Sequence, residues 1–296
     1  MIPYRILCGR DFYEEKKEWG EQMEKVKELK VVPLMEDNLC EEGMVAEHGL
    51  SFYIETNRHK LIVDTGQSDK TWDNARAKGI DLSLVDTVFL SHGHYDHSGG
   101  LLTFGRLHPT VPVYLRENAG GAYYSRRTDG EKYIGIDPAI LELSSLHFIK
   151  ENTILDEEIS VFTGVAPKRL WPKGNRRLLK KEDGVFLQDD FSHEQYVVIQ
   201  YTSGKYALIS GCAHNGILNI LDRFREIYHG DPAVVISGFH MIRSKYEKED
   251  LEDIRSVGRE LAEMDTVFYS GHCTGEVAFA ELKEIMGDKL QAISEM

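Results

Sequence analysis

One stretch limits what this chain can fold into more than any other. It runs Thr87-Val88-Phe89-Leu90-Ser91-His92-Gly93-His94-Tyr95-Asp96-His97-Ser98-Gly99-Gly100. Apolar and β-branched residues lead in, which reads as a buried strand. The closing glycines let the backbone turn tightly into the next element. The strand therefore delivers three imidazoles and a carboxylate into a loop at its C-terminal end, where open α/β sheets place their sites. Histidine with carboxylate suits zinc, iron or manganese. Four donors within six positions, on a chain read here as too bent for a helix, do not all reach one ion. Two divalent metal ions are the expectation. A solvated turn with incidental histidines is the alternative, but an ordinary loop has little reason to concentrate imidazoles behind an apolar strand.

The pattern recurs. Residues 206–210 read as a strand ending in Gly211-Cys212-Ala213-His214. Residues 234–237 end in Gly238-Phe239-His240, and residues 266–270 end in Gly271-His272. Four apolar strands each run out into a small residue and then a histidine. Strand ends on one sheet edge converge, so these histidines can share a site. Further expected elements are a hairpin over residues 50–64, helices over 69–80, 215–228 and 250–264, and a strand over 191–202.

The segment His92-x-His94-x-Asp96-His97 resembles the signature of the metallo-β-lactamase superfamily. Leu61-Ile62-Val63-Asp64-Thr65-Gly66 resembles its upstream strand, and Gly211-Cys212-Ala213-His214 and Gly271-His272-Cys273-Thr274-Gly275 resemble its downstream ligand-bearing strand ends. Glu47-His48-Gly49-Leu50-Ser51, Gly-Cys-Ala-His and Gly238-Phe239-His240 resemble the branch that includes an archaeal dihydropterin ribofuranosyl-aminobenzene phosphate synthase. The resemblance spans about residues 32 to 280. It implies an α/β fold, a four-layer αββα sandwich. It places a first metal on His92, His94 and His214, and a second on Asp96, His97 and His272. Asp96 would also orient the nucleophile or carry its proton. His240 would face the pocket and assist proton transfer, and His48 would contact substrate. Asp64 would orient a ligand histidine; a plain turn role is the alternative. Relatives carry a bridging aspartate where this chain has Cys212, so the bridge is open between the Cys212 thiolate, Asp189 or Asp190, and water. His193 competes with His214 as the third ligand, and His214 ranks first because it directly follows a strand end.

Composition narrows the partners. Of 296 residues, 35 are Lys or Arg and 49 are Asp or Glu, giving a net charge of −14. Sequence-independent nucleic-acid binding leans on basic surface and is not expected. The four cysteines form no C-x-x-C pair, which suits a reducing compartment. No run reaches the roughly 18 apolar residues of a membrane helix, and the N-terminus lacks a signal-peptide core, so a cytoplasmic protein is expected. Residues 1–30 read as a helical extension, with Phe12, Trp19, Met23, Val26 and Leu29 near helical spacing. It would pack on the main domain or on a second subunit, which makes a homo-oligomer possible. Residues 31–296 form the main domain, with an insertion or lid around 116–184. Within it, seven cations fall in the fifteen residues 167–181. They are either a solvated loop or a lid that brings Lys168 and Arg169 over the metals to meet an anionic substrate.

The leading expectation is a dinuclear metal-dependent hydrolase acting on a small anionic, phosphate-containing molecule. A pterin-directed transferase releasing pyrophosphate is the alternative. An iron redox protein and a non-catalytic metal-binding module fit less well.

Overall fold

The structure, a computed structural model, describes residues 29–202 and 204–296 together with the backbone of Arg5–Ile6. The helix expected over residues 11–30 lies outside the described residues, apart from its last two positions. Lys30 already begins the first strand of the main domain, Lys30–Met35.

Two large sheets form the middle of the molecule. One has six strands, in spatial order Lys30–Met35, Ser51–Glu55, Lys60–Val63, Thr87–Phe89, Val113–Arg116 and Leu146–Ile149. The other has eight, in the order Arg5–Ile6, Thr153–Ile154, Ile159–Phe162, Tyr196–Thr202, Lys205–Ile209, Val234–Ile236, Val267–Ser270 and Leu290–Ala292. Period-two alternation sorts their side chains between faces. Phe52, Ile54, Leu61, Val63 and Phe89 meet Val161, Val197, Ile199, Ala207, Ile209 and Ile236 in a dry layer between the sheets. The intervening Tyr53, Ile62, Val88 and Val113 face outward, onto Trp72 and Ala75 of helix Lys70–Ala77 and Leu101 and Phe104 of helix Leu101–Leu107. On the far side Val198, Leu208, Val235 and Phe268 pack against helices Ile217–Tyr228, Lys248–Ala262 and Glu276–Met286. The order helix, sheet, sheet, helix is the expected four-layer αββα sandwich.

Both sheets have parallel cores. Lys60–Val63, Thr87–Phe89 and Val113–Arg116 run parallel, as do Lys205–Ile209, Val234–Ile236 and Val267–Ser270. Every strand that was read from sequence as ending in a ligand belongs to one of these sets. The convergence expected on one sheet edge takes place between two sheets: His92 leaves the six-stranded sheet, and His214, His240 and His272 leave the eight-stranded one.

The segment 116–184 divides. Its middle supplies strands to both main sheets. Its ends, with the strand just after it, build a third, antiparallel sheet ordered Val185–Gln188, Leu178–Glu182, Tyr123–Arg127, Gly130–Tyr133. This flap sits over the site on a small core of Tyr123, Ile134, Leu178 and Phe191, with Trp171 and Tyr95 packed against it. The strand expected over 191–202 begins only at Tyr196, because residues 191–195 turn under the flap.

Candidate metal centre

The signature motif does contain a helix. His94 is the cap residue of a single turn, Tyr95–Ser98, so Asp96 and His97 lie on a helical turn and not on an open loop. Ser91, His92, His94, Asp96 and His97 are all buried.

The imidazoles of His92, His97, His214 and His272 are each fixed through Nδ1. Asp64 receives the Ser91 N–H (2.7 Å) and hydroxyl (2.7 Å), and its Oδ2 lies 2.6 Å from His97 Nδ1. Ser91 Oγ lies 2.9 Å from His92 Nδ1. Asn175 Oδ1 holds His214 Nδ1 at 3.0 Å, and its amide donates to the His214 carbonyl. Asp37 Oδ1 holds His272 Nδ1 at 2.5 Å. Phe191 stacks on the His214 ring, with centroids 4.5 Å apart and planes 8° from parallel. The Nε2 atoms are left over. Those of His92, His94, His214 and His272 are buried without a hydrogen-bond partner. An unmatched buried polar atom costs about 1–3 kcal/mol, so four in one place are not packing accidents.

These free atoms gather. Donor atoms of His92, His94 and His214 lie within 4.8 Å of one another. Beside them Asp96 Oδ2 stands 3.9 Å from His97 Nε2 and 3.6 Å from His272 Nε2. Such separations suit donors on either side of an ion bound at about 2.0–2.2 Å. The Cys212 thiol lies 3.1 Å from His97 Nε2 and belongs to donor groups with His92 and His97, with His214 and His240, and with His272 and Cys273. The thiol thus stands where the two histidine sets meet. The donors fit divalent cations.

Electrostatics agree for the set His92, His94 and His214. Burial, reinforced by neighbouring imidazoles, drives His92 and His214 well below the ordinary histidine range and His94 to about 3. These rings are held neutral, the form that ligates. Asp96 is buried, which alone would raise it. Coulombic attraction toward His97 and the contacts of His272 and His48 prevail and hold it far below the carboxylate range. Burial would likewise lower His272, but Asp37 and Asp96 flank its two nitrogens and keep positive charge there. Burial pushes the Cys212 thiol up.

Backbone strain collects here too. Asp64, Phe191, Ala213, His240 and His272 have φ between +47° and +60°. Non-glycine residues held there cost about 1–3 kcal/mol each and persist only where the surroundings enforce them. Gly211 is glycine for a different reason: a Cβ there would sit 2.2 Å from Ser91 Oγ and 3.0 Å from His92 Nδ1.

A cleft of about 100 Å³ opens over the donors. His48, His94, Asp96, Cys212, His214 and His240 form its floor; Tyr95, Ser125, Arg127, Arg177 and Leu178 close it from the flap side. His48 is half exposed and bridges Asp37 (2.9 Å) and Asp96 (3.3 Å), contacts that raise it to about 9. His240 lies 4.1 Å from His214 between ring centroids, and neither of its ring nitrogens has a hydrogen-bond partner.

Two open alternatives fall away and one expectation is corrected. His193 does not approach the donors as a ligand: its Nδ1 accepts the Gly93 N–H and its Nε2 is held by Asp189, so both nitrogens are spent. Asp189 and Asp190 are no candidates for a bridge, since Asp189 holds His193 and the Phe191 N–H while Asp190 pairs with Lys180. Lys168 and Arg169 do not reach the cleft. Lys168 faces Glu226, and Arg169 is clamped by Asp222 and Glu260 on the outer helices. Most of the cation run is similarly tied down, with Lys173 on Asp250 and Asp253 and Lys180 on Glu182 and Asp190; Arg177 is the member that lines the cleft. Sequence reading also missed Glu36, Asp37, Asn175 and Glu194. Glu36 receives the His272 N–H, and Glu194 receives the His214 and Asn215 N–H groups.

Comparison with known proteins follows the same lines. The family model for the metallo-beta-lactamase superfamily matches residues 45–174. A crystal structure of Tm1679, described as a metal-dependent hydrolase of the beta-lactamase superfamily, superimposes with a TM-score of 0.75 at 31% identity, covering 90% of this chain and 96% of that one. Two relatives come from Methanocaldococcus jannaschii. Uncharacterized protein MJ0448 is 26% identical over 86% of this chain and 94% of its own length. The 7,8-dihydropterin-6-methyl-4-(beta-D-ribofuranosyl)-aminobenzene-5'-phosphate synthase is 26% identical over 85% and 89%. Fold, ligand-bearing strand ends and these likenesses together make the chain a member of the metallo-beta-lactamase superfamily.

Proposed function

We propose that this protein is a dinuclear metal-dependent hydrolase of small anionic, phosphate-containing molecules. The observation that carries the reading is the set of four buried, unpartnered Nε2 atoms, of His92, His94, His214 and His272, beside a cleft that His94, His214, Asp96 and Cys212 line. His92, His94 and His214 would hold one ion and Asp96, His97 and His272 the other, with zinc, iron or manganese suited to the donors. Cys212, between the sets, is the candidate bridge. Bound divalent ions supply Lewis acidity, activating water and polarising the bond to be cleaved.

The chain's own residues do the rest. Asp64, Asn175 and Asp37 fix ring orientation so that little reorganisation is needed on binding. Asp96, facing both the cleft and His272, orients the attacking water. His240 has two uncommitted ring nitrogens at the cleft and is placed to pass a proton to the leaving group. His48 lines the mouth next to Asp96 and contacts the substrate. A second reading, a pterin-directed transferase that releases pyrophosphate, is favoured by the likeness to the synthase over most of both chains.

Elemental analysis of purified protein, combined with turnover of phosphomonoesters, phosphodiesters and a pterin diphosphate, tests both readings. About two metals per chain with ester hydrolysis supports the first. Two metals with pyrophosphate release alone supports the second. Protein that binds no divalent metal defeats both.

A further inference from the structure

Two arginines on the flap remain unaccounted for. Arg127 ends the strand Tyr123–Arg127, and Arg177 immediately precedes the strand Leu178–Glu182 that pairs with it. Register explains why they face the cleft. Ser125 lies opposite Leu178, and both line the cleft; Arg127, two residues on, shares the face of Ser125. Arg126 points the other way, to Glu131.

Charge makes the pair unusual. In a chain of net charge −14, several neighbouring cations have found carboxylates: Arg126, Arg169, Lys173, Lys180 and Arg243 all carry ion pairs, while the unpaired Arg176 and Lys181 do not line the cleft. Arg127 and Arg177 carry none to any described residue. Two like charges, brought to one opening by separate segments and left unneutralised, favour an anion between them. Guanidinium forks match tetrahedral oxyanions bidentately, which ammonium groups do not. The cleft beneath them, about 100 Å³, is roomy enough to admit a phosphoryl group.

We propose that Arg127 and Arg177, with the Ser125 hydroxyl, form a clamp for a phosphoryl group of the substrate, and that the flap sets selection for negative charge. This rests on the reading of the cleft as the substrate site. Arg127 and Arg177 are binding residues, with no ion pair to a candidate metal donor among the described residues.

The test uses the metal-loaded full chain and inorganic phosphate as probe, titrated calorimetrically at fixed ionic strength, with metal content measured on every variant. Arg127→Gln and Arg177→Gln are each expected to weaken phosphate binding roughly 10-fold and the double variant roughly 100-fold, because each removes charge-assisted hydrogen bonds. Arg176→Gln is the control: an exposed arginine on the same turn that does not line the cleft, expected to change affinity less than about 2-fold. Arg127→Lys and Arg177→Lys keep the charge and lose the fork, so they should fall between wild type and the glutamine variants. A double glutamine variant that keeps its metal and binds phosphate as tightly as wild type overturns the clamp. Equal weakening by Arg176→Gln also overturns it, since the effect would then be a general field. Arginine-dependent phosphate binding without turnover of any ester would sustain the clamp and defeat the hydrolase reading. Hydrolysis with unaltered phosphate affinity in the double variant would do the reverse.

Discussion

A histidine becomes a ligand when its other nitrogen is occupied and its free one has nowhere else to go. For His272 and His214 the holding partner comes from far away in sequence. His272 Nδ1 is held by Asp37 across 235 positions, and His214 by Asn175 across 39. Removing the free nitrogen should therefore do more damage than removing its support. His94→Ala is expected to lose about one metal equivalent and more than 100-fold in turnover, read by elemental analysis and initial rates. Asp64→Asn should retain both ions in saturating metal but bind them about 10–100-fold more weakly, read by chelator competition, because His97 and Ser91 lose their shared anchor. The strand ends that bring the candidate donors together were legible in the sequence, because each apolar strand runs out into a small residue and then a histidine. Their supports were not. Glu36, Asp37 and Asn175 sit in segments with no periodic signal, Glu194 sits in a stretch read as strand that turns instead, and tertiary convergence alone assigns them partners. Arg127 was hidden for the same reason, and Arg177 was lost in a run whose other cations face outward.

Elements hold the site from both ends. The hairpin whose second strand ends at Asp64 is pinned at its opposite end by its turn. There Thr56 bonds Glu158, Arg58 pairs with Glu157, and His59 lies between Asp156 (2.6 Å) and Asp86 (3.2 Å). These contacts tie a turn of the six-stranded sheet to a turn of the eight-stranded one. Burial would lower His59, but the two carboxylates outweigh it and raise it from 6.5 to about 10. The folded value lies above the unfolded one. The stabilisation is thus complete below about pH 6.5 and is lost as pH climbs through about 10. His59→Gln should lower the urea midpoint at pH 6 and flatten its decline between pH 7 and 10; an unchanged pH profile would mean the turn contacts contribute nothing. The helices and strands that carry the ligands were readable from their apolar spacing. The one-turn helix Tyr95–Ser98 and the flap were not: a single turn is too short to show a period, and the flap's outward-facing residues break the alternation that marks a buried strand.

At the scale of the molecule, the αββα sandwich is a device for aiming two sets of parallel strand ends at one cleft. Its cohesion rests on the dry layer between the sheets and on the helix-covered outer faces, where side chains such as Phe268 are fully buried. Phe268→Ala should cost about 3–5 kcal/mol in chemical denaturation, by loss of transfer energy plus a cavity, while leaving metal stoichiometry unchanged in the folded fraction. Because cations would bind only the folded state, the melting temperature should rise with metal concentration and fall on chelation. The direct measurement is anomalous scattering from crystals of the metal-loaded protein. Two ions are predicted, one against His92, His94 and His214 and one against Asp96, His97 and His272, with the Cys212 sulfur between them. A single ion elsewhere, or strong anomalous signal absent from this cleft, would contradict the account.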